Sequence, residues 1–235
     1  MDARIVKLQA SFDAIEARLL TLESCVDGTA EDGRATCPAS APPGPTDVAV
    51  RAGESATVDR LQAELNAKGI SATFIRAPKE YYDETLEFRR AVLSAPSVDC
   101  LCKSIIMENT RIDEAMCRAD PSLVKYWLVI VQYACEGAKK ELLNKCVRGQ
   151  QPSLSRTMVN LRVVAEDLSM ELSGFGRNAV SPVGLRTKMP IIMAKAIADL
   201  EAGVFWLGGG EVDLKMGLCV TDFIRSYEPI VARLY

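Results

Sequence analysis

Apolar residues recur along the first part of the chain at alternating spacings of three and four. The positions are Ile5, Leu8, Phe12, Ile15, Leu19 and Leu22, with charged side chains on the faces between them. This spacing is that of the a and d positions of a coiled coil, so we predict an amphipathic helix over residues 1–23. Because such a helix is marginal alone in water, we expect its apolar stripe to pack on a second copy, on a partner helix or on its own domain.

The pattern changes at residue 24. Residues 24–55 are rich in Gly, Pro, Ala, Ser and Thr and contain few large apolar side chains. Such a segment cannot bury enough surface to form a core, so we predict a flexible linker.

Residues 56–235 show the mixed periodicities of a compact domain. Helices are predicted near residues 57–65, 82–93, 138–147, 164–172 and 221–227. Strands are predicted at residues 72–76, 97–109 and 125–134, at the apolar end of the 174–193 loop, and in VFWLGGG and EVDLKMGLCV. Since helices and strands mingle without a regular βαβ repeat, the predicted fold class is mixed α/β (α+β), with a mixed, largely antiparallel sheet or barrel surrounded by helices.

Composition limits the chemistry. The chain has 235 residues, of which 49% are hydrophobic, and no histidine. The lack of imidazole excludes a Ser-His-Asp or Cys-His nucleophile and every zinc site that needs histidine. The eight cysteines include no CxxC pair, so we expect them to be reduced, mostly core residues, and we expect no metal.

Charge and motifs limit the partners. A net charge of -3 and a pI near 5.3 argue against a protein that coats DNA or RNA through a broad basic surface, although a local contact with an RNA end stays open. Neither GxGxxG nor GxxxxGK[ST] occurs, so no nucleotide cofactor is expected. With no apolar run of membrane-spanning length and no signal peptide, we expect a cytoplasmic protein without a membrane partner.

One lysine interrupts an apolar strand in SVDCLCKSIIMEN. Side chains alternate along a strand, so Lys103 shares a face with Leu101 and Ile105 while Cys102 and Ser104 share the other. Two interpretations remain open. Lys103 either reaches water from an edge strand or is held in a pocket for an anionic ligand.

Two glycine-rich loops accompany this strand. They cover residues 174–184 and 208–210. Glycine lets the backbone approach a ligand and turn N–H groups toward a phosphate or a carbonyl oxygen, but the same residues also form plain turns between strands.

Four segments in the same order resemble the YbaK domain, also called the prolyl-tRNA synthetase-associated or INS-type editing domain. They are CLCKSIIMENT, KYWLVIVQYA, GFGRNAVSPVGLRTKMPIIM and FWLGGGEVDLKMGL, and the resemblance covers roughly residues 57–235. It is greatest to the eukaryotic branch, in which a CKS strand, an NAV(S/T)P loop and a GGGEVDLK turn occur together.

The resemblance implies a histidine-free deacylase that hydrolyses the ester of mischarged tRNA. Lys103 matches the family's strand lysine, which contacts the terminal nucleotide and supports ester cleavage. The loop that faces the ester and the aminoacyl group matches Asn178, Ala179, Val180, Ser181 and Pro182, and its N–H groups are candidate oxyanion donors. The turn adds Gly208, Gly209, Gly210, Asp213 and Lys215 as candidate substrate-binding residues.

Three positions depart from the family pattern. Asn178 stands where the family has the first glycine of Gly-x-x-x-Pro, and Gly208 and Lys215 stand where some bacterial members have a serine and an acid. Asn tolerates the left-handed backbone that glycine adopts, so the loop shape can survive the change. The aminoacyl pocket is expected to differ.

The expected partners are the acceptor end of aminoacyl-tRNA and, through the N-terminal helix, a synthetase or multi-synthetase complex; self-association is the other use of that helix. Two alternatives to the deacylase stay open. One is a non-catalytic scaffold or RNA-end-binding subunit of a multi-synthetase assembly. The other is a homo-oligomeric hydrolase of small aminoacyl esters unrelated to tRNA.

Overall fold

The computed structural model describes residues 49–51, 53–135 and 137–235. The predicted helix over residues 1–23 and most of the predicted linker lie outside the described residues, so the proposed division at residues 23 and 55 stays a prediction. The last linker residues contact the domain: Ala49 bridges Ile75, and the Val50 N–H donates to Phe74 O at 2.9 Å.

The described part of the chain contains eight strands and seven α-helices. The strands are β1 (Ala72–Arg76), β2 (Cys102–Asn109), β3 (Tyr126–Gln132), β4 (Leu161–Val163), β5 (Ile191–Ala194), β6 (Val204–Gly208), β7 (Leu214–Cys219) and β8 (Ile230–Ala232). The helices are α1 (Ala56–Ala67), α2 (Leu86–Val92), α3 (Glu114–Ala119), α4 (Lys140–Gln150), α5 (Glu166–Ser173), α6 (Lys195–Ala198) and α7 (Val220–Tyr227). Short 3-10 helices cover Lys79–Tyr82, Val98–Cys100 and Arg156–Met158.

The strands form two sheets. β1, β7 and β6 make an antiparallel three-stranded sheet, and the larger sheet has the order β4-β2-β3-β5-β8. In the larger sheet β4, β2 and β3 pair antiparallel, whereas β3, β5 and β8 pair parallel. The mixed α/β fold class is thereby confirmed. The two sheets do not close into a barrel, so the open alternative of the prediction is the one observed.

The core lies on both faces of the larger sheet. Six of the seven residues of β3, YWLVIVQ, are buried, as expected for a central strand that is covered on both sides. A smaller cluster forms around Trp206, Leu101 and Tyr81, where an isolated bridge joins Leu101 to Trp206 and thus links the two sheets. None of the described helices has the length and apolarity that a membrane span needs.

Several predicted boundaries shift for local reasons. The predicted helix at residues 82–93 is divided, because the 3-10 helix ends at Tyr82 and α2 begins after Thr85, whose hydroxyl caps the Phe88 N–H. The predicted strand at residues 97–109 begins only at Cys102, since Val98–Cys100 forms a 3-10 turn.

The cysteine prediction is confirmed at five positions and wrong at one. Cys100, Cys102, Cys117, Cys135 and Cys146 are free. Cys219 is disulfide-bonded.

Candidate active site

A cleft of about 400 Å³ opens beside β2. We call it the β2 cleft. Its floor is β2, one wall is the end of β4 with α5, and the opposite wall is the 174–184 loop with the end of β6. The lining residues are Tyr82, Cys102, Lys103, Ser104, Ile105, Ile106, Tyr133, Val163, Val164, Glu166, Ser169, Arg177, Asn178, Val180 and Gly208.

Lys103 lies in this cleft. Its amine is 5.3 Å from the centroid of the Tyr133 ring, a distance at which a cation is attracted by the face of the ring. β3 pairs with β2 at this position, but β4 pairs only with Met107, Glu108 and Asn109. The side of β2 that β4 leaves open at Lys103 borders the cleft, so this lysine combines an unpaired strand edge with a pocket wall.

Ser104 supplies a buried polar atom without a partner. The residue is 8% exposed, and its hydroxyl forms no hydrogen bond within the described structure. A buried hydroxyl in this state costs about 1–3 kcal/mol unless a ligand or water satisfies it. Since Ser104 lines the cleft next to Lys103, this hydroxyl is a ready donor or acceptor for an occupant of the cleft.

The 178–182 loop forms part of the opposite wall. Asn178 has a φ of 63°, the left-handed conformation that glycine would adopt there, so the loop keeps its shape despite the substitution. Asn178 and Val180 line the cleft. The Ala179 N–H donates to Gly176 O at 3.1 Å and is not free to bind an oxyanion, whereas no described residue accepts from the Val180 N–H.

The other loop residues lie behind the cleft wall. Ser181 is fully buried, and its hydroxyl accepts from the Val183 N–H at 3.1 Å, which stabilises a turn inside the loop. Ala179 is buried as well, and Pro182 lines a separate groove near α1 and α7. These three residues shape the loop, and their side chains do not line the β2 cleft.

The triple glycine fits β6 against this loop. A Cβ on Gly208 would lie 2.9 Å from Val180 O, so only glycine allows this approach without a shift of backbone. Gly210 has a φ of 93°, and its N–H donates to Ala179 O at 3.1 Å. Gly208 lines the cleft, while Gly209 and Gly210 hold the turn behind it.

Lys215 is enclosed rather than offered to a ligand. It is 3% exposed, and its amine donates to Tyr82 Oη at 2.9 Å and to Val212 O at 2.7 Å. Burial lowers the pKa of this amine to about 8, with Asp213 raising it and Arg89 lowering it further. Tyr82 Oη in turn donates to Asn178 O at 2.8 Å. A hydrogen-bonded chain therefore runs from Lys215 through Tyr82 to the 178–182 loop.

Asp213 lies apart from the cleft. Its carboxylate pairs with the Arg76 guanidinium at 2.8 Å, and Glu211 pairs with the same guanidinium at 2.9 Å. Both carboxylates raise the pKa of Arg76. The placement of Asp213 favours a role in holding the turn after β6. Its predicted contact with substrate remains untested.

Sequence reasoning missed several residues of the site. Tyr82, Tyr133 and Arg177 line the cleft, and Arg89 lies 5.5 Å from the rings of both tyrosines. Burial raises the pKa of Tyr82 and of Tyr133, so both phenols stay protonated at neutral pH. The Tyr81–Tyr82 doublet was the available sign in a chain with only 6% aromatic residues, but a doublet of this kind is also ordinary core material.

Acidic groups are scarce in the cleft. Glu166 is its carboxylate, 3.9 Å from the Arg177 guanidinium and largely exposed. Within the described ranges no group of three histidine, cysteine or acidic side chains is arranged to hold a metal ion.

Comparison with solved structures defines the fold. The chain superimposes on a candidate trans-editing enzyme for prolyl tRNA synthetase with a TM-score of 0.58 and 17% identity, over 77% of this chain and 97% of that one. A protein from work on epitope backbone grafting onto scaffold proteins matches with a TM-score of 0.57 and 16% identity, over 77% and 97% of the two chains. A hypothetical protein matches with a TM-score of 0.56 and 14% identity, over 74% and 98%.

At these identities the likeness shows a shared fold. No protein-family model matches the sequence, and no curated protein matches it. The class of protein established here is therefore a mixed α/β domain with the fold of these structures and a cleft beside β2.

Proposed function

We propose that the protein is a trans-editing aminoacyl-tRNA deacylase of the YbaK type, which hydrolyses the ester of mischarged tRNA. The carrying observation is the β2 cleft, in which the Lys103 amine and the unpartnered Ser104 hydroxyl face the 178–182 loop. The fold shared with a candidate trans-editing enzyme supports the proposal.

The residues of the cleft suit an activated ester. The Lys103 cation attracts a phosphate or a polarised carbonyl, and an enclosed site strengthens that attraction over bulk water. The Val180 N–H, which lacks an acceptor among the described residues, is the loop donor that remains for an oxyanion. In the reaction, water attacks the ester carbon, the bond to the ribose oxygen breaks, and that oxygen takes the proton that water loses.

No strong side-chain base is required. The family resemblance assigns the positioning of the attacking water to a hydroxyl of the substrate's own terminal ribose. Orientation and oxyanion stabilisation each contribute several kcal/mol, which suits an ester of this reactivity. Selection among amino acids then depends on the size of the cleft, where one methylene is worth about 1–3 kcal/mol.

Incubation with a panel of mischarged tRNAs tests the proposal. We expect at least one aminoacyl ester to be lost faster than in buffer, and we expect Lys103→Ala to lower that rate by about 100-fold. Lys125→Ala is the matched control, because Lys125 makes a similar contact with Tyr126, at 5.1 Å, beyond the other end of β3. Equal rates for protein and buffer across the panel would contradict the proposal.

A second candidate is a non-catalytic RNA-end-binding or scaffold subunit of a multi-synthetase assembly. It is favoured by the scarcity of acids in the cleft, where Glu166 lies beside Arg177. In that case tRNA binding would depend on Lys103 while no ester is hydrolysed. Recruitment to a synthetase complex by residues 1–23 belongs to both candidates, and release of small aminoacyl esters without competition by tRNA would instead support a hydrolase unrelated to tRNA.

A further inference from the structure

One stretch of the chain reverses its overall charge. Residues 139–162 contain six lysines and arginines and one acid, in a chain whose net charge is -3. This stretch comprises α4, the 3-10 helix Arg156–Met158 and the start of β4. The predicted lack of a broad basic surface therefore concerns the chain average and leaves room for a local basic site.

Three of these cations line one groove. The groove has a volume of about 340 Å³ and lies between α4 and the segment that precedes β4. Lys145, Arg148 and Arg156 line it together with Asn144 and a single acid, Glu141. Among the described residues, no ion pair includes Lys145, Arg148 or Arg156, so their charge is available to a ligand.

The groove adjoins the β2 cleft along one sheet edge. Asn144 Oδ1 accepts from the Leu161 N–H at 3.0 Å, which fixes α4 against β4. Val159 lines the groove and Val163 lines the cleft. Four residues separate them, a span of at most about 14 Å in an extended chain.

The groove is polar and its cations are spaced along a concave surface. The exposed large apolar residues of the described chain, Val163, Met170, Val212 and Val231, do not line it. A membrane-binding surface would combine cations with exposed apolar side chains, and here these are lacking. Several cations in a groove, with one acid among them, fit the regularly spaced phosphates of a nucleic-acid backbone.

We propose that this basic groove binds the phosphate backbone of duplex RNA next to the single-stranded 3′ end that enters the β2 cleft. The inference rests on the proposed function for the identity of the RNA. The groove supplies affinity and register without reading sequence, and the cleft carries the chemistry.

Binding as a function of salt tests the groove directly. The probe is a fluorescent acceptor-stem RNA hairpin with a single-stranded 3′ end, and the variant combines Lys145→Gln, Arg148→Gln and Arg156→Gln in the full chain. We expect affinity at 0.1 M salt to fall by about 10-fold or more, and the slope of log K against log salt to lose about 2, close to the loss for three released counterions.

A second triple variant controls for net charge. Lys188→Gln, Lys195→Gln and Arg225→Gln remove the same charge at positions that line neither the groove nor the cleft. We expect this variant to bind within about twofold of the native protein. An equal loss in both variants, unchanged binding in the groove variant, or binding of anionic vesicles in preference to RNA would overturn the proposal.

A short substrate separates this proposal from the function itself. An aminoacylated trinucleotide is too short to reach the groove, so the groove variant should hydrolyse it at the native rate while losing activity on full-length mischarged tRNA. If the native protein hydrolyses neither substrate, the deacylase proposal fails, and the salt dependence of hairpin binding still decides whether the groove binds RNA.

Discussion

Two lysines occupy apolar strands, and their surroundings give them different roles. The Lys103 amine faces the β2 cleft over the Tyr133 ring, where it can meet an anion. The Lys215 amine is closed in by the rings of Tyr81 and Tyr82, at 5.0 and 4.6 Å, and is satisfied by two hydrogen bonds. Lys103 is thus a candidate for substrate contact, and Lys215 is a positioning residue that acts through Tyr82.

Removal of the Tyr82 hydroxyl tests that positioning role. Tyr82→Phe leaves Asn178 O without its donor and the Lys215 amine without one acceptor. We expect a loss of about 1–3 kcal/mol in the free energy of unfolding, measured with urea, because both groups are buried or partly buried. On mischarged tRNA, kcat should fall about 10-fold or more with little change in KM, since the loop that shapes the cleft loses its anchor.

Tyr81→Phe is the control for that experiment. It keeps both aromatic contacts with Lys215 and removes a hydroxyl that takes no part in the chain from Lys215 to Asn178. A drop in kcat as large for Tyr81→Phe as for Tyr82→Phe would contradict the positioning role.

Lys215 also predicts a pH dependence of stability. Its pKa is about 8 in the folded protein, against an ordinary value of 10.5, so the unfolded chain holds the proton more tightly. The cost of burying the charge is fully present below about pH 8, is relieved as pH rises to 10.5, and amounts to about 3 kcal/mol at about 1.4 kcal/mol for each tenfold change in proton affinity. Stability therefore rises with pH in this window.

Urea unfolding of the native protein and of Lys215→Met between pH 7 and 9.5 measures this effect. We expect the native protein to gain about 2 kcal/mol relative to the variant over that range. The comparison cancels the tyrosines, whose raised pKa values act in both proteins. Lys140→Met, at an exposed position, should give a curve parallel to that of the native protein, and a parallel curve for Lys215→Met would contradict the assignment.

Sequence reasoning reached single residues unevenly. Strand alternation was enough to single out Lys103, and the tolerance of Asn for left-handed backbone correctly anticipated the conformation of Asn178. Ser104, Tyr82 and Arg177 were missed because they enter the cleft from separate elements. Their meeting depends on tertiary packing, which no local pattern encodes.

At the scale of elements, the site depends on the fit between the end of β6 and the 178–182 loop. Gly208 lies against Val180 O, and Gly210 donates to Ala179 O. The loop and the strand are thereby held at backbone contact distance. The wall of the cleft is a packed interface between two segments that are about 30 residues apart in the chain.

Gly208→Ala tests this contact. The added Cβ would lie 2.9 Å from Val180 O, so one of the two backbone segments must shift, at a cost of about 1–3 kcal/mol. We expect thermal unfolding at a lower temperature and a lower rate of deacylation.

Gly149→Ala gives the opposite expectation. Gly149 lies in α4, and a Cβ there would meet no atom within 4 Å. Replacement by alanine in a helix stabilises by about 0.5–1 kcal/mol, so this variant should unfold at a higher temperature with unchanged deacylation. Equal stability of the Gly208→Ala variant and the native protein would contradict the packing role.

Long elements were predictable and short ones were not. The uninterrupted apolar run of β3 and the capped start of α1 after Ser55 follow from local sequence. β4 and β8 have three residues each, too few for a period to be recognised, and β8 pairs with β5 only through the fold. Because β4 forms a wall of the cleft, its absence from the predicted elements also hid that wall.

At the scale of the whole molecule, charge is distributed rather than averaged. The net charge of -3 keeps the surface from binding polyanions indiscriminately, while the basic groove and Lys103 place cations along one edge of the larger sheet. Such a distribution favours an RNA that is held at its end. A uniformly basic surface would instead retain any duplex.

The N-terminal heptads yield the last prediction. The core clusters of the domain are built among residues 58–235 and so do not need residues 1–24. We expect a chain that begins at residue 25 to keep the helical and strand content of the domain and the rate on mischarged tRNA, but to lose association with itself or with a synthetase. Sedimentation of both chains, alone and with a synthetase mixture, measures this.

Leu8→Ser with Leu19→Ser in the full chain is the matched variant, because it places two hydroxyls in the apolar seam without shortening the chain. It should dissociate as the truncated chain does. If truncation instead lowers the unfolding temperature of the domain while the mass in solution stays that of a monomer, the helix packs on its own domain and recruitment must depend on another surface.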